Sequence, residues 1–181
     1  LAQQWHYNND GTVDFPNAKA GADINLFSAW KHTAGRNDVI VAVVDEGVCY
    51  THEDLAANMW VNKGEIAGNG IDDDENGYTD DIHGYNFADG GQITWNKAND
   101  SGHGTHVAGG TGKGDGVRIM SCQIMSKGES AGPATTAEAI EYAADNGACV
   151  LQNSWGFKAG AIGNDYMFET GQTSVEIKAF E

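Results

Sequence analysis

The chain has 181 residues, 40% of them hydrophobic, with 25 glycines and a formal net charge of −16, a composition that fits one loop-rich globular domain and not a disordered chain. The acidic balance excludes a surface built for nucleic acid or anionic membranes, which need basic patches, and suits a protein that binds cations. No apolar run approaches the roughly 18 residues of a membrane span, and no signal-peptide pattern follows Leu1, so any signal or pro-segment is expected either to have been removed or to lie outside residues 1–181.

In chain order, Asp23–Gly35 carries apolar residues at helical spacing and closes on glycine, which predicts a helix leading into a strand over Val39–Val44. That apolar strand ends at Asp45. An acid at the C-terminal end of a buried parallel strand stands where α/β folds place their functional groups. Further on, Asp72, Asp74, Asn76 and Asp80 fall at positions one, three, five and nine of a turn with Gly77 at six, and the Tyr78 carbonyl takes the seventh position; this is the pattern of a loop that wraps Ca²⁺. His83 occupies the twelfth position, where a bidentate Glu is usual, so Asp81 or a distant group is expected to complete the shell.

A helix opens at His103, whose neighbours Gly102 and Gly104 leave the imidazole free of steric cover. Val117–Met125 predicts a central strand. Thr135-Thr-Ala-Glu138 offers a capping box for a helix closed by Gly147, and Cys149–Asn153 is the strand after it. Strands alternating with helices at short spacing predict βαβ units and a parallel sheet. The three cysteines are an odd number and form no disulfide framework. Cys122 and Cys149 are expected to pack in the core, while Cys49 lies near Asp45 without the paired base that a catalytic thiol needs.

Two other chemistries fit poorly. His103 and His106 could be a metal pair with Asp45, but zinc-protease helices need a Glu where Gly104 stands. The glycine run from Gly110 to Gly116 is no phosphate loop, because Gly114 and not Ser or Thr follows Lys113.

Val41-Ala-Val-Val-Asp45-Glu-Gly47 and His103-Gly-Thr-His-Val-Ala-Gly109 resemble the Asp and His motifs of the subtilisin-like serine proteases, the subtilase or peptidase S8 family. Leu151-Gln-Asn-Ser154-Trp155-Gly156 resembles that family's cleft-lining strand. Asp before His is the family's order for its triad. The resemblance covers the chain from about Gln4 onward. It implies an α/β three-layer fold, a parallel sheet with helices on both faces, incomplete at the C-terminus. Residues 1–181 then form the N-terminal portion of one catalytic domain, with a calcium-loop insertion at about 62–86.

The implied activity is that of a secreted, periplasmic or cell-envelope endopeptidase acting on polypeptides. His103 is its base, Asp45 orients the imidazole, and Ser154, Trp155 and Gly156 bind substrate. The family's nucleophile and oxyanion segments do not occur before Glu181, so the serine is expected beyond this chain and residues 1–181 alone are expected to be inactive. The alternative is a calcium-binding binding or adhesion module without a nucleophile. Asp54, in His52-Glu-Asp54-Leu55, resembles a segment that supplies another calcium ligand. The stretch between Gly109 and Val117 is shorter than is usual in the family, where it continues the His helix. His106 has a packing role in the family. Glu46 stands where Ser or Thr is common, so its carboxylate is placed to couple to Asp45 and His103.

Overall fold

A run of β-branched residues with no polar alternation suits a strand covered on both faces. In the computed structural model, which describes residues 4–12, 17–95, 102–109, 116–127 and 129–156, that run is strand β1 (Ile40–Glu46). Ala42, Val43, Val44 and Asp45 are completely buried. The chain divides into two compact units, Leu1–Arg36 and Asn37–Glu181.

Among its described residues the first unit holds a single short helix, α1 (Leu26–Ala29), much shorter than the helix predicted over Asp23–Gly35. The cause is local. Asp23 accepts the Asn25 N–H, and Asn25 adopts a left-handed φ of 55°, so the helix cannot begin before Leu26. Turn hydrogen bonds carry the chain on only as far as Thr33.

The second unit contains the sheet. Strands β2 (Gly84–Asn86), β3 (Arg118–Ser126) and β5 (Ala148–Asn153) lie in the order β2-β3-β1-β5, all parallel, and the two-residue β4 (Glu129–Ser130) pairs antiparallel with the end of β3. Gly84 permits the approach of β2, since a Cβ there would fall 2.0 Å from the Ser121 carbonyl oxygen. Alternation then sorts the side chains. Ala42 and Val44, with Met120, Cys122 and Ile124, pack on Ala139, Tyr142 and Ala143 of helix α3 (Pro133–Asp145). Val43 and Ile119 face the other way, against Ala108 of helix α2 (His103–Ala108) and against Val48, Leu55 and Met59. Helices thus cover both faces of a parallel sheet, as expected.

Two local expectations fail. Helix α3 starts at Pro133 behind Gly132, not at a Thr135 capping box. Proline has no N–H to leave unsatisfied and a preset φ, so it opens the helix earlier. The Thr135 and Thr136 hydroxyls then turn back to the Ala131 and Gly132 carbonyls. Cys149 is exposed and not in the core. The β1–β5 register runs from Ile40 opposite Ala148 to Val41 opposite Val150, so Cys149 is the extra residue of a bulge. Cys122 is buried as expected, and burial pushes its thiol pKa up.

Candidate active site

Asp45 follows Val44 at the C-terminal end of β1, on the face turned towards α2. Helix α2 is positioned by two glycines. Gly102 takes a left-handed φ of 75° at the N-cap. At Gly104 a Cβ would lie 2.3 Å from the Glu46 carbonyl oxygen, so only glycine lets the first turn come this close to β1. Thr105 Oγ1 also accepts the Cys49 N–H at 2.9 Å.

The result is a contact of 2.8 Å between His103 Nδ1 and Asp45 Oδ1. The carboxylate has no exposure, whereas the imidazole side chain is 46% exposed. Asp45 Oδ1 also accepts the Glu46 N–H at 2.7 Å, and the buried Oδ2 has no hydrogen-bond partner among the described residues. A carboxylate on Nδ1 fixes the tautomer with Nδ1–H donating, and Nε2 becomes the nitrogen for proton transfer. The hydrogen bond to Asp45 raises the His103 pKa above its usual value, with the charges of Asp45 and Glu46 acting in the same direction and burial opposing them.

The remaining predicted residues are dispersed. His106 is exposed among the described residues instead of packed, and no metal-ligand group of His103, His106 and Asp45 forms among them. Cys49 is half-buried, with its sulfur 3.7 Å from Thr51 Oγ1. Past β5, Ser154 and Gly156 are exposed, and the Ser154 hydroxyl accepts from Gln152 Nε2. The Trp155 indole packs on the α3-side core and donates Nε1–H to the Val44 carbonyl at 3.0 Å. Its polar edge is therefore bonded to the strand that carries Asp45. The run Gly110–Gly116 lies outside the described residues except for Gly116.

In the acidic loop, Asp72 and Asp74 converge with Glu65, one oxygen from each lying within 4.8 Å of the others. Glu65 lies upstream of the turn, and only the fold brings it in. It knits the loop by accepting the Asp73, Asp74 and Asp80 N–H groups. Asp80 spends its carboxylate on the backbone N–H groups of Gly68, Asn69 and Gly70. Asp81 is fully buried, where it accepts from Asn62, Asn76 and the Tyr142 hydroxyl, and burial raises its pKa. Asn76 Oδ1 is taken by the Tyr78 N–H.

The Tyr78 ring stacks edge-on with Tyr85, Phe87 and Tyr142. Its hydroxyl donates to Glu138, and burial with that neighbouring charge pushes its pKa up to about 12. Asp54 sits in the turn at His52, apart from the carboxylate group. Three clustered carboxylates with no Lys or Arg ion pair among the described residues have the chemistry of a hard divalent-cation site.

Residues 36–176 match the family model described as the subtilase family, Peptidase_S8. Halolysin of Haloferax mediterranei is 34% identical over 147 residues, covering 76% of this chain and 25% of that protein. The halolysin-like extracellular serine protease Nep of Natrialba magadii is 33% identical over the same length, covering 76% of this chain and 24% of Nep. The chain therefore spans about a quarter of the length of these curated relatives. Among solved structures, a lanthipeptide protease superposes with a TM-score of 0.59 at 20% identity, covering 86% of this chain and 38% of that one, a likeness of fold alone. With a family match over most of its length and Asp45 and His103 brought together at the end of a parallel sheet, the chain belongs to the subtilase family.

Proposed function

We propose that the protein is a serine endopeptidase in which His103 is the general base and Asp45 its orienting acid. The observation that carries this is the 2.8 Å contact between the fully buried carboxylate and the half-exposed imidazole. In the reaction, Nε2 of His103 takes the proton of a serine hydroxyl as that oxygen attacks the peptide carbonyl. It then returns the proton to the leaving amine. Asp45 holds the ring and stabilises its charged form. No serine before Glu181 lies in the family's nucleophile context, so the reading requires a serine beyond it and makes residues 1–181 alone inactive. Substrate pairs as an extended strand beside Ser154–Gly156, and Trp155 braces that segment against β1.

Calcium is part of the proposal. Glu65, Asp72 and Asp74 would hold the ion, which would neutralise their mutual repulsion and stabilise the loop. Asp80 and Asp81 shape the loop from behind, through bonds to backbone N–H groups and to α3. Secretion is in keeping with the acidic surface and with Nep, an extracellular serine protease by name.

The test is fluorophosphonate labelling of the longest natural form of the polypeptide, with peptide mapping. A labelled serine beyond Glu181 that is lost in His103→Ala supports the triad. Absence of label from complete, folded, calcium-loaded protein favours a binding module instead.

A further inference from the structure

Strand alternation places Glu46 on the α3 side of the sheet, opposite Asp45. The pairing with β3 changes at this point. The β1–β3 register passes from Asp45 opposite Gln123 to Glu46 opposite Met125, so Ile124 is the extra residue, on β3, and the pairing shifts between the two acids. The Glu46 side chain nevertheless reaches across, with Oε2 at 3.3 Å from the backbone nitrogen of His103, on the side Asp45 faces.

That N–H belongs to the first residue of α2, and the first turn of a helix has no internal acceptor for its N–H groups. The same residue meets α2 in a second way, since the Glu46 carbonyl lies where a Cβ on residue 104 would be. Its own N–H donates to Asp45 Oδ1. One residue therefore touches both members of the acid–base pair, through its main chain and its side chain.

We propose that Glu46 is a positioning residue whose carboxylate latches the first residue of α2 to the end of β1 and thereby holds the His103 imidazole against Asp45. The consequence for turnover rests on the protease reading above, whereas the latch itself does not. Among the described residues, Asp45 and Glu46 are charged side chains that act on His103. Gln123, the partner of Asp45 on β3, is neutral. The latch thus brings a second negative charge to the imidazole as well as a bond to its backbone, and two substitutions separate these roles. Glu46→Gln keeps an acceptor at full reach without the charge. Glu46→Asp keeps the charge but is one methylene too short.

The experiment measures amide hydrogen exchange at His103, the titration of its imidazole by NMR, and kcat and KM on a peptide substrate, in the longest natural form of the protein. The expected result is that E46D speeds His103 exchange and lowers kcat about tenfold with KM unchanged, as a loosened catalytic geometry does. E46Q should keep the exchange protection and most of kcat, while its imidazole titrates at lower pH than in the wild type. Wild-type exchange and kcat in E46D would overturn the proposal. So would loss of protection in E46Q with retention in E46D, which would make charge the agent. If the wild type hydrolyses nothing while E46D still frees the His103 amide and E46Q restores it, the latch stands and the protease reading falls.

Discussion

Asp45 is held by only a few contacts. One of its oxygens carries both the Glu46 N–H and the imidazole, and the buried second oxygen has no partner among the described residues. The hydrogen bond from the imidazole to this buried carboxylate, joined by its negative charge, favours the imidazolium in the folded state, so the His103 pKa rises above its ordinary 6.5. The sign of the linkage follows. The stabilisation is fully present below pH 6.5 and is lost as the pH rises through the higher folded value. Thermal melts of the wild type and His103→Gln should therefore differ more at pH 5.5 than at pH 8.5, and a gap that grows with pH would contradict this assignment.

The Asp45–His103 pair was legible in the sequence because each member is marked locally, one by the end of an apolar run and the other by flanking glycines. Glu65 was not. Its place beside Asp72 and Asp74 is set by how the loop folds back, which no spacing within the turn records. Asp80 shows the converse: it occupies a ligand position in the sequence pattern, yet its oxygens serve the Gly68–Gly70 backbone.

Among the elements, α2 depends on a single residue for its approach to β1. A methyl group on residue 104 would meet the Glu46 carbonyl at 2.3 Å, and backbone does not yield as a flexible side chain does. Gly104→Ala should cost about 1–3 kcal/mol by overpacking and, in the longest natural form and on the protease reading, slow fluorophosphonate labelling, whereas a variant with wild-type stability and labelling would show that α2 is not held at this point. Helix α3 is tied to the acidic loop by the Tyr142 hydroxyl on Asp81. Tyr142→Phe removes one donor from a buried carboxylate and should cost about 1–3 kcal/mol, read as a lower midpoint in urea. The start of α3 was misread from sequence because two signals compete there. Thr135-Thr-Ala-Glu138 has the letters of a capping box, but Gly132-Pro133 comes first and sets the boundary. Likewise the shortness of α1 follows from a left-handed Asn25, a conformation that apolar spacing does not reveal.

At the scale of the whole molecule, with a net charge of −16 and a cluster of three carboxylates, the proposed cation binding would be a stability matter. A ligand bound only by the native state stabilises it by mass action, about 2.7 kcal/mol at a hundred times its Kd. Chelation of calcium should lower the Tm, and Glu65→Gln should reduce the calcium-dependent part of that shift; a Tm indifferent to calcium would remove the site. The layered architecture itself was readable from alternating strand and helix signals. The exposure of Cys149 was not, because it depends on a register shift against a strand more than a hundred residues earlier.

That sheet order also governs how the chain is made. β1 lies between β3 and β5, and Ile40 must wait for Ala148, roughly 110 residues later, before both its edges are paired. At a synthesis rate of about 5–20 residues per second, the apolar strand ending in Asp45 spends roughly 5–20 s outside the ribosome with an open edge. Pairings of such long range also make folding slow. Among the described strands, the one that ends in Asp45 is thus the first to be translated and the last to gain its second neighbour, and during that interval its apolar edge is open to a chaperone.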